Sequence, residues 1–339
     1  MLTVRASNGS FTSEQFRALA DAAQKLGAGY ADLTTRQDLR MACTADQVAG
    51  LRQKLEIAGL MLAADGAMPE LRAAVCPMAG ISRRACAEGC EADHVGVHAQ
   101  TPGDRYAVGL PVPVGRITSE QMKKLADMAG RYVEQSASTE RPIRLTARQH
   151  VVLVHLPEES VEKVLAGARD VGLPVSASPW RRSFLVCTER GETHLSAQAQ
   201  QLLDHLEARV PMEPPVRVRV EGCAQGCTAP QLADIALIRV ETGAYDLFVG
   251  GHAGPPPVFS RPMASQVTIT DASRRLERML RQFQKGRKPV ESFHAWCVRL
   301  GDVAVAELLT EDSNQPSSDQ AIEPLGDQAM KLLDSSIAR

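Results

Sequence analysis

Residues 9–23 read GSFTSEQFRALADAA, and residues 115–129 read GRITSEQMKKLADMA. Nine of these fifteen positions are identical, in the frame G-x-x-T-S-E-Q-x-x-x-L-A-D-x-A. Two further matches follow in the same order. Thr34-Thr35-Arg36-Gln37 corresponds to Thr146-Ala147-Arg148-Gln149, and Ala58-Gly59-Leu60 to Val171-Gly172-Leu173. The offset grows from 106 to 112, so the second copy carries a six-residue insertion around Glu134–Arg141. A chain that uses one unit twice is built by packing the copies on each other.

Each copy has a readable local structure. Thr12-Ser13-Glu14-Gln15 predicts a helix start, with a hydroxyl over free N–H groups and an acidic residue at the positive end. Phe16, Leu19, Ala20 and Ala23 then form an apolar stripe at helical spacing, and Gly27-Ala28-Gly29 ends it. Tyr30 to Met41 reads as a strand carrying T-T-R-Q, followed by a helix over Asp46–Ala58. The second copy adds a leading strand, Tyr106–Val114, and then repeats helix, strand (Ile143–His155) and helix (Glu158–Val171). Two such halves are expected to pair into one sheet with helices on one face.

Residues 61–103 read as an irregular connector rich in Gly, Ala, Cys and charge, with Cys86 and Cys90 in C-x3-C spacing. A third unit follows. Ser183–Cys187 is a short strand and Leu195–Arg209 an amphipathic helix. Strands follow at Val216–Val220, Ile235–Val240 and Tyr245–Val249, and helices at Asp271–Phe283 and Glu291–Leu309. The expected organisation is half 1 over 1–62, connector over 63–103, half 2 over 104–178, a cysteine-bearing domain over 179–310, and a loose tail over 311–339.

Composition sets the class. With 38 basic and 40 acidic residues, the chain lacks the positive charge of a general nucleic-acid binder. Aromatics make up 4%, too few for stacking platforms along a single strand. No apolar run is long enough to span a membrane, and the first ten residues contain no secretory apolar core, so a cytoplasmic protein is expected. Eight cysteines in such a compartment point to metal, cluster or redox chemistry, or to packed thiols, rather than to disulfides.

The sharpest motif is Gly222-Cys223-Ala224-Gln225-Gly226-Cys227-Thr228, placed between two strands. Two thiolates in a Gly-rich loop can face one inorganic centre, with backbone N–H groups approaching its sulfurs. Cys187, at the end of a neighbouring strand, supplies a third thiolate. A zinc site accepts the same spacing less commonly. Cys43 and Cys297 read as packed thiols. Arg36 and Arg148 recur at the same place in both copies, which favours a shared role over surface ion pairs. Arg40, four residues on in an extended strand, shares the face of Arg36.

These residues resemble the sirohaem-dependent nitrite/sulfite reductase family. The likeness is carried by the T-T-R-Q and T-A-R-Q repeats, by V-E-G-C-A-Q-G-C-T-A-P-Q-L-A-D-I-A-L-I, and by Y-D-L-F-V-G-G. It covers most of residues 9–310. It implies an α+β protein, with duplicated ferredoxin-like half-domains plus a C-terminal α/β iron–sulfur/sirohaem domain. It also implies a 4Fe-4S cluster held by Cys187, Cys223 and Cys227, with Cys227 bridging to sirohaem iron. Arg36, Arg40, Arg148, Gln37 and Gln149 would lie against the macrocycle, and Arg36 and Arg148 would act on the anion. The implied activity is electron transfer through the cluster to sirohaem-bound nitrite or sulfite. Ferredoxin or a flavoprotein would be the electron donor.

The chain departs from the pattern in three ways. The family's earlier cysteine pair is C-x5-C, but Cys187 stands alone, with Thr193 six residues after it and Arg181 six before, so either that loop is shortened or one ligand comes from elsewhere. Cys76, Cys86, Cys90 and His194 are candidate replacements. The first cysteine-type unit is cut down to residues 61–103. No lysine occurs between Lys54 and Lys123, so the family's basic pair on that unit has no counterpart. A second copy or a partner subunit would then complete the enzyme. The rival readings are a precorrin-3B synthase-like iron–sulfur monooxygenase of cobalamin synthesis, whose substrate is a tetrapyrrole, and a non-catalytic binding protein that kept the fold.

Overall fold

The computed structural model describes residues 2–5, 7–63, 75–78, 94–101, 103–133, 141–187, 193–212, 215–223 and 225–310. The expectations for Cys86, Cys90, most of the connector and the tail lie outside these residues. The first half contains strands β1 (Leu2–Arg5) and β2 (Ser10–Phe11), helix α1 (Ser13–Leu26), strands β3 (Tyr30–Leu33) and β4 (Leu39–Met41), helix α2 (Val48–Ile57) and strand β5 (Met61–Leu62). The second half contains β6 (Gly96–Ala99), β7 (Arg105–Leu110), β8 (Arg116–Thr118), α3 (Ser119–Tyr132), β9 (Ile143–Leu145), β10 (Val151–Pro157) and α4 (Glu158–Asp170).

The repeated helices start as the sequence predicts. Thr12 and Thr118 each accept the N–H of the glutamine three residues on, and that glutamine side chain accepts the threonine N–H in return. The stripe of Phe16, Leu19, Ala20 and Ala23 on α1 is buried, as are Met122, Leu125, Ala126 and Ala129 on α3. The two helices pack against each other.

The halves do not share one sheet, as the sequence reading expected; they form two sheets of five strands and exchange a strand. The orders are β5-β1-β4-β3-β8 and β2-β9-β10-β7-β6. Strand β2 of the first half pairs with β9 of the second, matching Phe11 with Ile143. Its counterpart β8 pairs with β3 of the first half, matching Ile117 with Ala31. Each strand immediately precedes its helix, so both copies make the same crossing. One hydrophobic core consequently runs through both halves, from Leu2 to Leu173.

A second correction concerns the T-x-R-Q motifs, which do not lie on strands. Residues 34–38 and 146–150 are tight turns joining β3 to β4 and β9 to β10. Thr34 and Thr146 accept backbone N–H groups across these turns, and Gln37 and Gln149 take left-handed conformations, with φ of 62° and 60°. A hydroxyl that stabilises a turn competes with the ladder, which ends the strand. The connector's end is also not irregular, because β6 pairs with β7 at the sheet edge.

The third unit contains α5 (Pro179–Ser183), β11 (Phe184–Val186), α6 (Thr193–Arg209), β12 (Val218–Glu221), β13 (Ile235–Glu241), β14 (Ala244–Val249), β15 (Arg261–Val267), α7 (Ile269–Gly286), α8 (Phe293–Leu300) and α9 (Asp302–Leu309). Its sheet order is β11-β12-β13-β14-β15, parallel across the first three strands and antiparallel after. The sequence does not announce β15, an edge strand whose residues are mostly half-buried or exposed. Its core runs from Trp180 to Leu309. Parallel strands place their loops at one end, and ligands in such sheets sit beyond the strands' carboxyl ends.

Candidate metal centre

The cysteines gather at that carboxyl end. Cys187 follows β11, and its N–H donates to the Val220 carbonyl of β12 at 2.8 Å. This bond sets Cys187 beside Glu221, the last residue of β12. The alternation of β12 turns Val218 and Val220 into the core, leaving Arg219 and Glu221 on the other face. The loop after β12 brings Cys227 back, so that one ligand atom each from Cys187, Glu221 and Cys227 lie within 4.8 Å of one another.

Glu221 is fully buried. Its Oε1 accepts the Thr228 N–H at 2.6 Å and the Thr228 hydroxyl at 2.5 Å, which ties down the loop. Its Oε2 is buried and receives no backbone or hydroxyl donor; the Cys187 thiol is the carboxylate's other hydrogen-bond neighbour. Cys223 is placed apart from this group. Its half-exposed thiol lies 3.9 Å from Gln225 Oε1.

The turns of both halves close on the site. Thr35 donates its hydroxyl to the Cys227 carbonyl at 3.2 Å, and the Arg36 guanidinium hydrogen-bonds the Cys227 sulfur. Arg40 lies close enough to feel both sulfurs. Burial lowers its pKa, and the neighbouring Cys187 opposes that fall. From the second half, Gln149 grips β11 just before the cysteine. Its Oε1 accepts the Val186 N–H at 3.1 Å, and its Nε2 donates to the Val186 carbonyl at 2.7 Å and to Leu33 at 2.8 Å. Arg148 donates to the Arg182 carbonyl at 3.5 Å.

Gln37 makes the same grip on a different segment. It accepts the Val75 N–H at 2.7 Å and donates to the carbonyls of Val75 and Leu145, both at 2.7 Å. Cys76 therefore stands in its half as Cys187 does in the other. It is buried with its sulfur 3.7 Å from His94 Nε2. It is held outside the Cys187–Glu221–Cys227 group, as is Cys43, which packs on the core of the halves. Cys297 is buried beside Trp296 in the core of the third unit.

The two converging sulfurs differ in acidity. The Cys187 thiol hydrogen-bonds the Cys227 sulfur and, helped by Arg36, holds Cys227 below the usual thiol range, at about 6, against burial and Glu221. Cys187 is pushed far up by that same bond, by burial and by Glu221. Cys227 is thus the more acidic sulfur of the pair. Sequence reasoning missed Glu221, Thr35 and Thr228. An acidic residue ending the alternating strand V-R-V-E, immediately before the motif, was the signal.

The donor set suits a thiolate-held inorganic centre. Two sulfurs and a buried carboxylate meet beside the Arg36 and Arg40 guanidinium groups. A family model for the nitrite/sulfite reductase ferredoxin-like half domain matches residues 1–58 and 98–171. A sulfite reductase [ferredoxin] 2 of Mycolicibacterium paratuberculosis is 31% identical over 226 residues, covering 61% of this chain and 40% of that protein. An assimilatory ferredoxin-dependent nitrite reductase of Haloferax mediterranei is 29% identical over 232 residues, covering 64% of this chain and 38% of that protein. The solved structure of the Mycobacterium tuberculosis NirA protein shares the fold with a TM-score of 0.72 at 18% identity, covering 89% of this chain and 84% of that one. The two halves carry the nitrite/sulfite reductase ferredoxin-like half domain, and the chain is similar to sulfite and nitrite reductases over about three-fifths of its length. It spans about two-fifths of the length of these curated relatives. No helix among the described residues is long and apolar enough to cross a membrane.

Proposed function

We propose that this chain is an oxidoreductase that passes electrons through an iron–sulfur cluster to nitrite or sulfite held at a sirohaem. The observation that carries the reading is the meeting of Cys187 and Cys227 under the Arg36 turn. Sulfite and nitrite reductases of this family use a 4Fe-4S cluster and sirohaem. In this reading Cys187, Cys223 and Cys227 hold the cluster, with Cys227 on the sirohaem side. When bound, the two groups supply stepwise one-electron delivery and an iron site for the anion.

The chain's own residues do the rest. Arg36, Arg40 and Arg148 carry permanent positive charge and bidentate donors that match carboxylates and small oxyanions. Arg36 also stabilises negative charge on the Cys227 sulfur. Gln149 fixes the height of Cys187, and Thr35 and Glu221 fix the loop that bears Cys227. Gln37 grips the connector and acts on the site only through the sheet. Ferredoxin is the donor that the names of the relatives suggest. A second copy or a partner subunit completes the middle unit in this reading.

The test is anaerobic purification of the full chain, with assay of iron, acid-labile sulfide and tetrapyrrole, and of nitrite and sulfite consumption with reduced ferredoxin. The expected protein is coloured, holds both groups and consumes one of the anions. A colourless chain with intact secondary structure, unable to take up iron and sulfide, overturns the reading.

A further inference from the structure

The resemblance implies a C-x5-C pair that is incomplete here, since neither Arg181 nor Thr193, six residues either side of Cys187, is a cysteine. We infer that Glu221 is a metal ligand beside Cys187 and Cys227, taking the place that this missing thiolate leaves. The inference rests on the functional reading only for the identity of the metal group; the ligand set stands on its own geometry.

Three observations carry it. Glu221 is the carboxylate that lies within 4.8 Å of both sulfurs. It is completely buried, a position in which an acidic group needs either a full set of donors or a cation. Its backbone and hydroxyl donors serve one oxygen only. Thr228 supplies two hydrogen bonds to Oε1, Oε2 has no such backbone or hydroxyl donor, and the carboxylate's remaining neighbour is the Cys187 thiol. A carboxylate placed purely to hold the loop has no need to sit against both thiols. Thiolate and carboxylate donors together suit a borderline divalent ion such as zinc, cobalt or ferrous iron.

The bland alternative is that Glu221 only clamps Thr228. One substitution separates the two. Glu221→Gln keeps an Oε1 that accepts both Thr228 donors and replaces the other oxygen with an amide that cannot ligate as a carboxylate does. Glu221→Cys loses the clamp but returns a thiolate.

The probe is cobalt(II) alone, added anaerobically to the metal-free full chain and followed by its thiolate charge-transfer and visible bands. The expected result is tight binding by the wild type, at least about 10-fold weaker binding by Glu221→Gln with unchanged circular dichroism and melting temperature, and recovery in Glu221→Cys with stronger thiolate bands. Equal cobalt affinity and spectrum in wild type and Glu221→Gln overturns the inference, as does a wild type that binds no cobalt. Reconstitution with iron and sulfide runs in parallel and tests the function separately. Cobalt binding that depends on Glu221, without cluster uptake, would leave the ligand set standing and remove the reductase reading.

Discussion

Gln37 and Gln149 stand at equivalent turns of the two halves and make the same three hydrogen bonds, yet they grip different things. Gln149 holds Val186, next to Cys187, and Gln37 holds Val75, next to Cys76. The grip is a property of the repeated unit; what it holds is decided by the segment that the rest of the chain threads into it. Gly9 and Gly115 complete both grips, since a Cβ at either would lie 3.0 Å from the glutamine side chain.

The two glutamines are therefore separable by mutation. Gln149→Ala should cost about 2–4 kcal/mol, because it strands a buried N–H and two buried carbonyls, and Gln37→Ala should cost less, because its Val75 partners are only part-buried. Only Gln149→Ala should also weaken cobalt or cluster binding, through Cys187. Urea unfolding and metal titration of both variants check this. An equal loss of metal in the two would show that the grip acts only on global stability.

The exchanged strands are pinned by Asp32 and Arg116. The arginine makes a two-pronged pair at 2.7 and 3.0 Å to a carboxylate that is 2% exposed, and its guanidinium lies 3.9 Å over the Tyr30 ring. Asp32→Ala should destabilise the chain by about 2–4 kcal/mol, since it leaves a largely buried cation without its partner. A change below about 0.5 kcal/mol in denaturant unfolding would contradict the assignment.

The thiols of the metal-free chain should separate by reactivity. The thiolate is the nucleophile, so alkylation of Cys227 should rise with pH through about 6 and then level off. Cys297, pushed up to about 12 by burial first and by Asp234 beside it, should stay unlabelled at neutral pH. Peptide mass spectrometry after timed iodoacetamide treatment reads both. An inflection for Cys227 at the ordinary thiol value of about 8.5 would count against the Cys187–Arg36 environment.

Glu291 sets an acid limb of stability. Arg299 grips it with hydrogen bonds at 2.7 and 2.8 Å, and the Lys288 N–H adds another at 2.9 Å, which together hold the carboxyl down at about 2. Its folded value lies below its unfolded one, so its contribution is complete above about 4.5 and fades as the pH falls toward 2. Glu291→Gln should be less stable than the wild type at neutral pH and should converge with it near pH 2, as thermal melts across that range would show.

Much of this protein is written locally. The duplication, the capped starts at Thr12 and Thr118, the buried stripes of α1 and α3, and the loop bearing Cys223 and Cys227 depend on residues within a few positions of one another. Period and capping chemistry are therefore enough to read them from the sequence alone. The exchange of β2 and β8, the threading of Val75 and Val186 into the two glutamine grips, and the arrival of Glu221 beside Cys187 were decided only by the tertiary structure. Those outcomes depend on strand register and burial across more than thirty residues of intervening chain. No local pattern records which oxygen or sulfur arrives first at a shared point in space.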